Sequence, residues 1–149
     1  MTVVMDAGTL RDGSLDLIAH VDVLISSEPF ADALAHSGES YAQTLDKMKR
    51  MGPDQVVITL GSKGSVGLDG KGIVRQPAFP VVSKNTTGAG DVYHGAYIYG
   101  LLRGWDMRGC MRLASAAAAL KCQNGGGWDG IPNRRVVDRL LQETEVESI

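Results

Sequence analysis

The chain has 149 residues, 44% of them hydrophobic, with 15 basic and 17 acidic side chains. That length suits one domain, and a chain of this size buries roughly 68–70% of its unfolded surface, enough for a core. The near-neutral charge excludes the basic stripe of a nucleic-acid binder. No apolar run reaches the roughly 20 residues of a membrane helix, and the start does not read as a signal peptide.

Residues 2–5 are short, apolar and β-prone, and predict a buried strand that Asp6-Ala7-Gly8 breaks. Leu15 to Ala19 predicts a short helix and Val21 to Ile25 a second strand. Glu28 to Ala35 and Ser40 to Met51 follow a helical period, and Gly52-Pro53 stops the second of them, since proline cannot continue a helix. Val56 to Leu60 is the strongest strand pattern and ends at Gly61 and Gly64. Residues 65–68 and 73–82 predict shorter strands around an Asp69-Gly70 turn, an antiparallel edge on an otherwise parallel sheet. Helices then dominate, over Gly88 to Leu102, Asp106 to Gln123 and Asn133 to Glu143, with Gly125-Gly126-Gly127 separating the last two. Strands alternating with helices, then a helical tail, predict an α/β layered fold in a single domain spanning 1–149. Cys110 and Cys122 have no CxxC spacing and read as reduced thiols of a cytoplasmic protein, and His20, His36 and His94 lack metal-ligand spacing.

The most informative stretch is Asn85-Thr86-Thr87-Gly88-Ala89-Gly90-Asp91 at the start of a helical pattern. The first N–H groups of a helix lack internal acceptors and together carry about half a positive charge, so an anion placed there satisfies them. Gly88 and Gly90 remove the Cβ atoms that would block close approach, and Thr86 or Thr87 is expected to cap the helix with its hydroxyl. Asp91 falls in the first turn, where a carboxylate can take the proton of a hydroxyl attacking a γ-phosphate, or can simply stabilise the helix dipole.

Those seven residues, followed by Tyr93 and Gly95, resemble the second signature of the PfkB family, the ribokinase-like sugar and nucleoside kinases. Val57 to Gly64 resembles the family's strand ending in T-x-G-x-x-G, Val21 to Ser27 the strand before its N-x-x-E element, and Leu113 to Pro132 its adenine-side helix and loop. The resemblance implies a three-layer ribokinase-like fold, here the C-terminal portion of a mostly parallel sheet flanked by helices, without the family's lid. It implies an ATP- and magnesium-dependent phosphotransferase acting on a sugar-type alcohol. Asp91 matches the catalytic base, and the backbone of Gly88, Ala89 and Gly90 matches the anion hole. Thr59, Gly61, Gly64, Thr87 and Ser115 match nucleotide-contacting positions. Asn85 and Thr87, with carbonyls from roughly Cys122 to Gly130, match a loop pair that holds a monovalent cation, potassium.

The sequence departs from the family in two places. Position 85 is often Asp in the family and is Asn here. The N-x-x-E element reads Ser27-Glu28-Pro29-Phe30, and Glu28 matches its glutamate only after a small shift. The Ser-Glu-Pro form and the Gly127 to Pro132 tail lean toward ketohexokinase- and fructokinase-like members. The resemblance begins midway through the family's chain, so the chain alone is expected to have little kinase activity. A half sheet is expected to seek a partner, either a second copy or a first half. A nucleoside acceptor, or a non-catalytic nucleotide-binding or docking remnant, are the alternative functions.

Other residues have plainer readings. Asp6 and Arg11 are expected in loop structure, His94 in packing or solvent, and Lys63 on an exposed turn. Trp128 reads equally as a loop anchor or a pocket wall. Lys47, Lys49 and Arg50 read as a solvated helix face.

Overall fold

The computed structural model describes residues 1–146 and divides into two compact units, Met1–Gln76 and Pro77–Ile149. The first unit holds a five-stranded mixed sheet in the order β1 (Val4–Ala7), β2 (Val23–Ser27), β3 (Gln55–Thr59), β4 (Ser65–Asp69) and β5 (Gly72–Gln76). β1, β2 and β3 run parallel, and β4 and β5 add on antiparallel, so the α/β expectation and the antiparallel edge both hold.

The parallel strands need helical crossovers, supplied by α1 (Ser14–Ile18) and by α2 (Glu28–Leu34) with α3 (Tyr41–Arg50). One face of the sheet buries Leu24, Val56 and Ile58 against Ile18, Phe30, Leu45 and Met48, each between 0 and 1% exposed. Burying a side chain of this kind stabilises by about 1.5–3 kcal/mol relative to leaving it in water. α2 and α3 start at side-chain caps. Ser27 accepts the Phe30 N–H at the head of α2, and Ser40 and Gln43 form a reciprocal capping box on α3.

Several expectations change in this unit, β2 among them, which runs Val23–Ser27 rather than Val21 to Ile25. β1 lies two residues later than predicted, because Asp6 and Ala7 pair with Ile25 and Ser26 of β2 rather than breaking the strand. Asp6 is therefore a strand residue, not a loop residue. β5 stops at Gln76 rather than running on to 82, since Pro77 and Pro80 have no N–H to give a ladder. The helix face carrying Lys47, Lys49 and Arg50 is not merely solvated. Lys47 donates to Leu34 O at 2.9 Å and pairs with Glu39, Lys49 donates to Asp54 O at 3.0 Å, and Arg50 pairs with Asp46.

The second unit is helical: α4 (Ala89–Leu102), α5 (Met107–Asn124) and α6 (Arg134–Val146). α4 and α5 pack on one another, and α5 also packs on α6. Phe79, Leu113, Ala116, Leu120 and Val137 form the core of the unit. The alanine run of α5 is thus core as well as good helix former. Asp106 caps α5 through the Gly109 N–H at 2.9 Å. Cys110 and Cys122 are both free thiols, and burial pushes the Cys110 thiol up to about 11. Among the described residues no helix is long and apolar enough to cross a membrane.

α4 comes close to α5 at Gly100. A Cβ there would lie 2.8 Å from Cys110 Sγ and 3.2 Å from Cys110 Cα, whereas a Cβ at Gly95 on the same helix meets nothing within 4 Å. Gly100→Ala is expected to cost about 1–3 kcal/mol by overpacking. Gly95→Ala is expected to gain up to about 1 kcal/mol from helix propensity. Urea denaturation of the two variants checks the contrast.

Candidate active site

The Asn85–Asp91 segment forms a tight turn into α4. Asn85 Oδ1 accepts the Thr87 N–H at 2.8 Å, and Ala89 N–H bonds back to Thr86 O at 3.0 Å. Gly88 stands at the helix N-cap with φ 77°, in the left-handed region that favours glycine. The cap has no side-chain hydrogen bond, so neither Thr86 nor Thr87 closes the helix as expected. A left-handed N-cap turns the backbone away from the geometry in which the preceding hydroxyl would reach forward.

This leaves a specific set of donors. Val92 N–H returns to Gly88 O at 3.0 Å and Ala89 N–H is used within the turn, but no acceptor among the described residues takes the Gly90 or Asp91 amide. Both residues are exposed, at the positive end of a 14-residue helix. The Asp91 carboxylate sits in the first turn, with its Oδ2 3.9 Å from where a Gly88 Cβ would stand. His94 Nδ1 lies 2.7 Å from Gly90 O, a local contact along the helix. Beside the turn lies an open cleft of about 430 Å³, lined by Asp91, Val92, Tyr99, Leu113, Trp128 and Arg134 among others. Its walls are mostly apolar side chains. Trp128 is 88% exposed on that wall, so it is a pocket wall and not a buried loop anchor.

Behind the turn is a residue that the sequence analysis did not single out. Lys121, on the last turns of α5, is only 2% exposed. Its Nζ donates to Gly126 O at 2.8 Å and Gly125 O at 3.3 Å. A Cβ at Gly88 would lie 3.9 Å from Lys121 Cε, so its stem passes the turn. One residue on, Cys122 O accepts the N–H groups of Lys84 and Asn85, at 2.8 and 3.3 Å, and holds the start of the segment against the end of α5. The signal that could have found Lys121 is a lysine inside an otherwise small and apolar helix run, one turn before a glycine triplet.

Ser115 lies on α5, 7% exposed, with its hydroxyl donating to Pro77 O at 3.4 Å. Thr59, Gly61 and Gly64 belong to the first unit and form their own turn after β3. Thr59 Oγ1 donates to Ser26 O at 3.2 Å, and Leu60 N–H bonds to Gly64 O at 2.8 Å across a short 3-10 turn, Gly61–Lys63. A Cβ at Gly61 would meet nothing within 4 Å, so that turn presents bare backbone outward.

Lys63 is not free on its turn. It pairs with Glu28, whose carboxylate also accepts from the Tyr41 hydroxyl. These two partners hold the Glu28 carboxyl below its ordinary range, Lys63 first and Tyr41 second, and the Tyr41 hydroxyl is pushed up by the same bond. Arg11 is exposed and offers its backbone N–H to Ser14 Oγ at 3.0 Å. Among the described residues, no three His, Cys, Asp or Glu side chains converge into a metal site.

Residues 1–134 match the model of the pfkB family carbohydrate kinase. The ribokinase of Lactococcus lactis subsp. lactis is 28% identical over 144 residues, covering 97% of this chain and 46% of the relative. A nucleoside kinase of Methanothermobacter thermautotrophicus is 35% identical over 86 residues, 58% of this chain and 28% of that protein. The solved structure of Arabidopsis thaliana ribokinase with ribose and ATP superposes with a TM-score of 0.84 at 29% identity, covering 95% of this chain and 48% of that one. The chain spans about half the length of these ribokinases. These matches do not confirm the leaning toward ketohexokinase or fructokinase.

The Glu28–Lys63 pair has a pH signature. A carboxyl held low in the folded state stabilises above its unfolded pKa, and that contribution is lost as the pH falls through the folded value. Lys63→Met is expected to raise the Glu28 carboxyl pKa, read by carbon-detected NMR. Its stability deficit against the parent is expected at neutral pH and to shrink as the solution is acidified through the Glu28 titration.

Proposed function

The chain belongs to the pfkB family of carbohydrate kinases, and on that footing we propose that it carries the nucleotide-handling and catalytic part of an ATP-dependent phosphotransferase with a sugar-type alcohol as acceptor. We place it as the C-terminal part of a ribokinase-like domain. The observation that carries the reading is the turn into α4: two exposed, unpartnered amides, Gly90 and Asp91, and a carboxylate in the same helical turn.

The chemistry follows from that arrangement. The acceptor hydroxyl is a poor nucleophile until its proton is taken, and Asp91 is the base that takes it. The deprotonated oxygen attacks the γ-phosphorus, the bond to the bridging oxygen breaks, and ADP leaves with that electron pair. In this reading charge on the transferred group is met by the Gly88–Ala89–Gly90 backbone and the Asp91 N–H, of which the Gly90 and Asp91 amides stand ready and the Ala89 N–H is held by Thr86 O. The exposed backbone of the Thr59–Gly64 turn is the second nucleotide-contacting surface in this proposal, and Ser115 and Thr87 are its further contacts. Magnesium would arrive with ATP, held chiefly by phosphate oxygens and water, since among the described residues no acidic cluster forms a cage for it. A cytoplasmic location, where ATP is abundant, belongs to the same proposal, as does a partner supplying acceptor contacts, either a second copy or a preceding segment.

The similarity to a nucleoside kinase favours a second reading of the acceptor. In it Asp91 and the turn keep their roles and a nucleoside hydroxyl replaces the sugar hydroxyl.

ATP binding, followed by calorimetry, tests the nucleotide half of the proposal. Asp91→Asn is expected to bind ATP within a few-fold of the parent. ADP release on a panel of sugars and nucleosides is expected to fall by about 10²-fold or more from whatever rate the parent chain gives. A chain that binds no ATP, or an Asp91→Asn variant at full rate, sinks the reading.

A further inference from the structure

We infer that the Lys121 ammonium is a tethered monovalent cation, standing in this chain where the family resemblance implies a potassium ion. The implied site draws its oxygens from Asn85, Thr87 and the loop carbonyls after α5. Three of those oxygens already accept hydrogen bonds, two of them from a cation. The Gly126 and Gly125 carbonyls accept from Lys121 Nζ at 2.8 and 3.3 Å, and Asn85 Oδ1 accepts the Thr87 N–H at 2.8 Å. The residues present therefore do not fit an exchangeable potassium ion.

The substitution is sound chemistry. An ammonium and a potassium ion carry the same charge, and carbonyl oxygens can replace the hydration shell of either. A charge only 2% exposed persists in a folded protein when it is paired with such oxygens. The end of α5 adds the negative pole of a helix to the same place. A second cation brought into that oxygen set would be repelled by the first. The space is also taken, because a Cβ at Gly130 would already lie 3.3 Å from Lys121 Nζ.

Lys121 is thus a positioning residue. Its head clamps Gly125 and Gly126, its stem runs by Gly88, and the neighbouring Cys122 carbonyl holds Lys84 and Asn85. The consequence for phosphate binding rests on reading Asn85–Asp91 as an anion-binding turn. The cation assignment does not, and its test needs no nucleotide.

The test is thermal unfolding of the full chain at constant ionic strength in potassium, methylammonium or tetramethylammonium chloride. The parent chain is expected to melt at the same temperature in all three. Lys121→Ala is expected to melt lower in tetramethylammonium, which is too large for the vacated space, and to regain roughly 5 °C or more in potassium or methylammonium. If Lys121→Ala does not fold in any salt, Lys121→Gln, which keeps a donor but no charge, takes its place with the same expectation. Selective stabilisation of the parent chain by potassium overturns the inference. So does a folded Lys121 variant that responds alike to all three salts.

Discussion

A buried lysine charge has to be paired, and in this protein the pairing of Lys121 organises the surroundings of the α4 turn. Its ammonium is satisfied by two carbonyls of the loop after α5. That loop can offer them because Gly125 and Gly126 both adopt positive φ, 69° and 62°, which aims successive carbonyls inward. Removing one partner from such a pair leaves an uncompensated charge, a far larger cost than the pair's net gain. The constraint therefore holds the loop in one conformation. It reaches the α4 turn by way of the Cys122 carbonyl and the close passage of the lysine stem at Gly88.

The turn itself shows which features of a site can be read from residues and which cannot. Gly88 at the helix boundary and Asp91 in its first turn were legible, because glycine and a first-turn acid have local causes. The missing hydroxyl cap was not legible. It depends on whether the boundary residue takes extended or left-handed backbone, and both are compatible with Thr-Thr-Gly. Lys121 was not legible either. Its role comes from carbonyls that only the folded loop brings to it, and a lysine in a helix is ordinarily an exposed one.

The same distinction runs through the fold. The periodicity of α3, α5 and α6 and the apolar run of β3 gave boundaries within a residue or two, apart from the C-terminal end of α6, because burial imposes those patterns directly. β1 was displaced because its pairing with β2 overrides the poor strand propensity of Asp6. β5 was overrun because Phe79, Val81 and Val82 look strand-like, whereas Phe79 and Val81 pack in the helical unit's core and the flanking prolines forbid a ladder. Glu28 offers a further lesson. As a carboxylate near a recognised motif it invites a metal role, yet its two hydrogen-bond partners, Lys63 and Tyr41, account for its position without one.

The pairing of Lys121 also bears on the kind of anion site proposed for the turn. Lys121 donates to the Gly125 and Gly126 carbonyls, so it is not a free point charge for a phosphate. What the turn offers is backbone dipole: Gly90 and Asp91 amides at the end of a long helix, with directions fixed by the chain. A point charge attracts substrate and product phosphates alike. Fixed amides favour the geometry that lines up with them, which is the condition for stabilising a transition state more than either ground state. In the proposed reading the acid–base chemistry of the turn rests on Asp91, and a carboxylate acting as base takes the proton of any alcohol placed beside it, so selectivity among acceptors has to come from groups outside the turn.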